Sequence, residues 1–368
     1  MQSRNQGFDL ARAFALFGMV IVNFKLVTGA TTGDAQWLYL SSLLEGRAAA
    51  LFVVLAGIGL AFISAKARHN DSVTIRRQVQ KEIFTRGLLL LIIGLAYLPV
   101  WPADILHFYG CYFMLTALVC FTPDRRLLKL TIALVLLFPL MLLLLDYDRH
   151  WDWTTLTYHN MWSWDGLWRR ILFNGFHPVI PWLAFLLFGL WLGRRAWYKP
   201  ATQKVLLLLG ISLWGAAEGL SWLGSLLLNS VIADPQALTE ASILVSTDMI
   251  PPLPLYMLSA SGSALVVICL CQHLASWAPR LCAPLVKTGQ MALSLYVAHV
   301  IIGMGTLEAL GMLGSQSIEI ALLAAGIFCL FAVLFSFICL RLFDRGPLEW
   351  LFQRMLHSLS KAHTKNPA

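Results

Sequence analysis

The chain has 368 residues, of which 58% are hydrophobic and only 12% charged, with a formal net charge of +8 and a mean hydropathy of +0.72. A soluble domain carries about 25% charged residues to cover its surface, so an ordinary soluble enzyme is excluded. The positive charge is spread over short connections rather than clustered, which argues against a nucleic-acid surface and for orientation in a bilayer.

Repeated apolar runs of about 17–25 residues, without the two-residue alternation of a barrel, predict an all-α, polytopic transmembrane helix bundle. Ten spans are expected, at roughly 13–30, 46–65, 87–102, 105–122, 129–146, 178–194, 204–229, 253–273, 290–313 and 317–341. One integral-membrane domain is expected over 1–356, with a disordered tail over 357–368.

The first run follows Arg4, Asp9 and Arg12 with no small-residue cleavage site, so it is read as a retained helix rather than a signal. Asn23 lies in its far half, and Glu45 and Arg47 open the second helix from the same side. A basic connection follows, with Lys66, Arg68, Arg76, Arg77, Lys81 and Arg86. The helix-pair turn Pro102-Ala103-Asp104 leads to His107. Three residues apart, Asp104 and His107 share a helix face if a helix starts there, and the carboxylate then orients the imidazole. The plainer alternative is an N-cap and an interfacial histidine.

Arg125, Arg126 and Lys129 mark the next basic connection. The connection 147–177 carries Tyr147, Trp151, Trp153, Tyr158, Trp162, Trp164 and Trp168, so it is expected to lie at the headgroup level, partly helical, as an anchor or as an anchor and lid. It closes on Asn174-Gly175-Phe176-His177-Pro178. Pro178 and Pro181 suit a helix first turn and leave His177 at the N-cap, where a neutral imidazole can accept a proton from an attacking hydroxyl or amine.

Arg194, Arg195, Lys199 and Lys204 follow on the basic side. Glu218 lies midway along the seventh helix and His299 inside the ninth. Either can be a buried structural group or line a path across the bundle, since facing lipid is costly. The connection 230–253 is read as an acidic loop with Asp234, Glu240 and Asp248, ending in a proline run. Gly57, Gly59, Gly189 and Gly193 read as close helix packing. The seven cysteines include no C-x-x-C pair and read as packing residues, with no metal site expected.

Most of the 27 basic residues fall on alternate connections, which places both termini in the cytoplasm. Asn23, Glu45, Arg47, Asp104, His107, Asn174 and His177 then gather at the outer face. Arg12, Arg76, Arg77, Arg194 and Arg195 lie on the cytoplasmic face, where guanidinium groups suit phosphates, although orientation alone also demands them.

Several motifs resemble the transmembrane acyltransferase superfamily, and within it the YeiB-like bacterial branch. They are Phe8-Asp9-Leu10-Ala11-Arg12 with Val22-Asn23, Arg86-Gly87-Leu88, Asp104-Ile105-Leu106 with Tyr109, and Asn174 to Trp182 with Gly189 and Gly193-Arg194. Gly289 to Tyr296 and Gly346-Pro347-Leu348-Glu349-Trp350 complete the series. The superfamily includes heparan-α-glucosaminide N-acetyltransferase. The resemblance implies a multi-pass protein of the bacterial inner membrane that moves an acyl group, expected to be acetyl, from cytoplasmic acyl-CoA to a glycan, lipid headgroup or small molecule outside.

Asn23 matches the lysosomal enzyme's helix 1 asparagine. That enzyme's following histidine has no counterpart here, because residues 24–46 contain none. His177 is the substitute base, with His107 and Asp104 as alternative or assistant, and Asn23 or Asn174 would donate to the thioester oxyanion. CoA phosphates would meet Arg12, Arg76, Arg77, Arg194 or Arg195. Expected partners are membrane lipids, acyl-CoA and the acceptor, with a homodimer left open. The competing reading is a proton-coupled transporter or exporter built on Glu218 and His299, and a third is a non-catalytic sensor subunit.

Overall fold

The computed structural model describes residues 5–70 and 72–364, with side chains to residue 358. Arg4, Lys365 and the rest of 365–368 lie outside the described residues. Helices follow in order as α1 (Gln6–Val27), α2 (Ala35–Ser42), α3 (Arg47–Arg68), α4 (Val73–Tyr97), α5 (Leu106–Val119) and α6 (Asp124–Leu144). A hairpin of β1 (Trp151–Asp152) and β2 (Thr157–Tyr158) precedes α7 (Trp164–Arg169), a π-turn over Arg170–Asn174, α8 (Val179–Leu192), α9 (Pro200–Val231), α10 (Pro235–Val245) and α11 (Pro254–Trp277). The chain continues with α12 (Pro279–Gln290), α13 (Ala292–Ala298), a second π-turn over His299–Met304, α14 (Gly305–Ala309), α15 (Ile318–Leu342) and α16 (Pro347–Thr364).

Among the described residues, seven helical stretches are long and apolar enough to cross a membrane, or eight if α7 to α8 counts as one bent span. Each of the ten expected runs coincides with helix. The run at 87–102 is the apolar half of α4, whose first half carries the basic residues. The run at 105–122 is the 14-residue α5. Helix α16 continues to Thr364, into the segment expected as a tail.

The contacts group the chain into two compact units, Met1–Phe52 with Ser263–Ala368, and Val53–Gly262. In the first unit, α1 packs on α12 and α15. Asn5 caps α1 by accepting from the Gly7 amide at 3.0 Å. A side chain at Gly289 would collide with the Asp9 carbonyl, so α1 and α12 meet backbone to backbone. The buried Asp9 carboxylate pairs with Arg12 and accepts from Gln290 Nε2 at 3.4 Å. Glu349 accepts from the Leu293 and Ser294 amides at 2.9 and 3.0 Å and from the Ser294 hydroxyl. It thereby caps α13 from the start of α16, where a carboxylate also meets the positive end of the helix dipole. Three of the recognisable motifs thus interlock inside this unit.

In the second unit, α4 and α5 form a tight hairpin, and α8 packs on α5 and α6. A Cβ at Gly94 would sit 2.2 Å from the His107 amide nitrogen, so the two backbones touch where α5 begins. Gly57 and Gly189 do the same for α3 and α8, each facing a carbonyl of the other helix, and Gly193 packs against Ala61. Gly59 does not: nothing lies within 4 Å of its added Cβ, so the packing expected there is absent. It is two residues from Gly57, about 200° around the helix.

The aromatic connection divides in two. Trp162 and Trp164 are exposed, as membrane anchors would be. Trp151 stacks on Trp153 at 4.5 Å and meets Phe176 edge-on, so this half folds into a cap of its own. The connection 230–253 is not an open loop. Asp234 caps α10 through the Ala237 amide at 2.9 Å, with Pro235 in the first turn, and α10 packs along α9.

Candidate functional site

The second unit holds a buried imidazole pair where α4, α5 and the mouth of α8 come together. Asp104 is completely buried and His107 is 1% exposed. Asp104 Oδ2 lies 3.1 Å from His107 Nδ1 and accepts from the His107 amide at 3.2 Å. The carboxylate therefore does both things the spacing allows: it closes the first turn of α5 and holds the ring. With Nδ1–H donating to Asp104, Nε2 becomes the basic nitrogen. That atom is buried and has no hydrogen-bond partner among the described residues.

His177 lies against Trp182, ring centroids 4.6 Å apart, and its Nδ1 is also buried without a partner. Its backbone carbonyl accepts from the buried Tyr112 hydroxyl. Phe108 meets both imidazoles, at 4.0 Å and 6.1 Å, and the two histidines lie within electrostatic reach of each other. Trp101 and Trp182 add buried indole N–H groups that also lack partners. Buried polar atoms are nearly always bonded in a native fold. These four atoms in one part of one unit need a reason, and a site for a polar guest supplies one.

Asn174 is arranged differently. Its Nδ2 donates to the Tyr147 and Arg149 carbonyls at 2.8 and 2.9 Å, and its Oδ1 accepts from Tyr158 at 3.0 Å. Trp151 donates to its backbone carbonyl. Burial pushes the Tyr158 phenol up to about 12, so it remains a donor at neutral pH. The Asn174 amide is thus taken up in fastening the aromatic cap. Arg170, unremarked in the sequence, sits one turn earlier. It is buried, lies 5.3 Å from the Tyr158 ring and donates to the Pro102 carbonyl at 2.7 Å, two residues before Asp104. Its spacing of four from Asn174 was the available signal.

In the first unit, Asn23 Nδ2 lies 3.0 Å from His299 Nε2, while His299 Nδ1 donates to the Tyr296 carbonyl. Both ring nitrogens of this fully buried histidine are occupied, at the start of the second π-turn. Asn23 keeps a second amide hydrogen. Glu45 pairs with Lys25 at 2.8 Å, and Arg47 is half-buried at the start of α3.

Arg12 is tied to Asp9. In the second unit, Arg76 Nε donates to the Asn70 carbonyl at 2.9 Å and Arg77 is exposed. Arg194 bonds Asp124 at 2.6 Å and the Thr122 and Cys120 carbonyls at 2.8 Å each, which ties α8 to the turn between α5 and α6. Arg195 shares Asp124. Two guanidinium groups on one carboxylate leave a positive excess, and Arg68 senses the same three charges. Glu218 accepts from Ser259 at 2.6 Å and Thr247 at 3.1 Å.

Two family models match the chain. One, described as heparan-alpha-glucosaminide N-acetyltransferase, catalytic, covers residues 4–232. The other, described as protein of unknown function (DUF418), covers residues 192–358. The first spans Asn23, Asp104, His107, Asn174 and His177, and the second spans His299 and Glu349. Both agree with the resemblance carried by the motifs. No curated protein matches the chain.

Proposed function

The chain belongs to the heparan-alpha-glucosaminide N-acetyltransferase catalytic family, and from that premise we propose that it is an acyl-CoA-dependent membrane acyltransferase. The acceptor is an extracytoplasmic glycan, lipid headgroup or small hydroxyl or amino compound. The proposed topology has ten spans with α4 and α5 as a short pair, both termini in the cytoplasm, and a bacterial inner membrane as the location.

The observation that carries the reading is the Asp104–His107 pair with its basic nitrogen buried and unfilled. A carboxylate on one ring nitrogen fixes the tautomer and stabilises the imidazolium that forms, while the other nitrogen takes the proton. In this reading His107 Nε2 accepts the proton of the acceptor as its oxygen or nitrogen attacks the thioester carbonyl, and the CoA thiolate leaves. His107 is favoured as base over His177, whose ring has no carboxylate partner among the described residues, and His177 assists from the same pocket. Asn174 and Arg170 position the pocket by holding the aromatic cap and the Pro102 carbonyl. Exclusion of water by the surrounding rings limits hydrolysis of the thioester. The positive excess around Asp124, with Arg76 and Arg77, supports contact with CoA phosphates.

The test is CoA release by the purified full chain given acetyl-CoA. Wild-type turnover that falls in His107→Ala and in His177→Ala supports the reading. Unchanged turnover in both variants, or no acyl-CoA binding by wild type, overturns it. Asn23→Ala forms a separate arm, since that residue matches the family's first-helix asparagine. Glu218 on α9, bonded to the hydroxyls of Ser259 on α11 and Thr247 in the connection before it, keeps a proton-coupled transporter as the competing outcome, read as substrate counterflow in liposomes without CoA binding.

A further inference from the structure

We propose that the elbow between α15 and α16 binds an anionic phospholipid. A trough of about 1120 Å³ lies there, within the first unit. Small-molecule sites run to roughly 300–1,000 Å³, so the trough is large for a metabolite. One wall is the end of a membrane-spanning helix, with Phe335, Ile338 and Leu342, and Leu342 is 71% exposed. The other is the first three turns of α16, which carry the half-exposed Trp350. An acyl chain can therefore run from the bilayer into the trough without crossing water.

Charge selects the headgroup. Arg345 and Arg354 line the trough, and Arg354 lies 5.2 Å from the Trp350 ring centre. Close by in sequence and packing, Arg341 and Lys287 hold opposite claims on one ring, 4.1 and 4.5 Å from the centre of Phe337. None of these four cations has a carboxylate partner among the described residues. Two cations gathered on a single ring repel each other unless an anion joins them. Asp344 is the carboxylate in the trough lining, and Glu349 is already occupied at the α13 N-terminus. The balance is positive, at the end of a span, where a phosphate headgroup sits. Glu349 also fixes the elbow, so the trough is formed before any lipid arrives.

The experiment is native mass spectrometry of the purified full chain titrated with phosphatidylglycerol or phosphatidylcholine. Wild type is expected to retain phosphatidylglycerol preferentially, and Arg345→Gln with Arg354→Gln is expected to weaken that retention about thirty-fold. Arg280→Gln with Arg125→Gln, which removes two exposed charges elsewhere, is expected to leave it intact. The conservative Arg345→Lys with Arg354→Lys keeps the charge and is expected to keep the preference, which guards against misfolding of the glutamine variant. Equal retention of both lipids by wild type overturns the proposal, as does a preference that survives the glutamine pair. Competition by inorganic phosphate as effective as by the lipid would reduce the site to an ion site and also overturn it. So would a lipid-free dimer that the glutamine pair abolishes, which would put a second copy in the trough.

Discussion

Each of the two units buries a histidine that a helix start presents, and the two are treated in opposite ways. His299 has both nitrogens occupied, one by the Tyr296 carbonyl and one by Asn23. His107 has one nitrogen on Asp104 and the other empty. A polar group with its full set of partners contributes to structure, and removing it exposes the partners it served. A buried nitrogen left open costs stability in the resting protein, which a site recovers only when a guest arrives. The comparison sets an imidazole with both nitrogens bonded against one with a nitrogen left open, without reference to where either sits in the chain.

The largest effect is expected from Asp104→Asn. The amide keeps the size of the carboxylate and can still accept from the His107 backbone, but it no longer fixes the tautomer or stabilises the imidazolium. Turnover is expected to fall by about 10³-fold or more, with the melting temperature little changed. A rate within a few-fold of wild type would make the pair a helix cap and erase the contrast. His299→Ala is the matching test in the other unit. It removes one bond to the Tyr296 carbonyl and the acceptor of an Asn23 amide hydrogen, and should cost about 2–3 kcal/mol of stability. Loss of turnover in a variant that melts like wild type would mean that His299 takes part in the chemistry after all.

Gly94→Ala sharpens the same comparison from the side of packing. The new methyl meets the His107 amide nitrogen at 2.2 Å and must push α4 and α5 apart. Overpacking of this kind costs about 1–3 kcal/mol. Since the displaced residue is His107 itself, turnover should fall together with the melting temperature. A clean loss of stability with turnover per folded molecule intact would show that the dyad tolerates movement of its helix.

How much of this was legible follows the sequence separation of the partners. The ten apolar runs were visible because hydrophobicity is a local signal, and each coincides with helix. Asp104 and His107 were visible as a pair because three residues on a helix bring them to one face. Pairing of Asn23 with His299 was not, since it spans 276 positions and depends on how α1 packs in its unit. The reach of Arg170 to Pro102 spans 68 positions and was hidden for the same reason. Helix α10 was obscured by the acidic and proline-rich composition around it, although Asp234-Pro235 is a recognisable helix start. Gly59 misled because a small residue marks close packing only on the face that meets a neighbour.

The smallest predicted effect concerns the cap that Asn174 fastens. Tyr158→Phe removes the hydroxyl shared between the Gly166 carbonyl and Asn174 Oδ1, a loss of about 1 kcal/mol. The Asn174 donors to Tyr147 and Arg149 remain, so the cap should loosen rather than detach, read as faster hydrogen exchange over 147–160 with turnover nearly unchanged. Alkali offers an independent check. Burial raises the phenol from its ordinary 10.0 to about 12. A folded-state value above the unfolded one means that the contribution is complete below pH 10 and is lost as the pH rises through 12. The difference in cap protection between wild type and Tyr158→Phe should therefore hold constant up to about pH 10 and shrink above it. A difference that vanishes already near pH 8 would mean that the phenol is not buried against Asn174, and that the saturated amide ascribed to the cap has a valence to spare for chemistry.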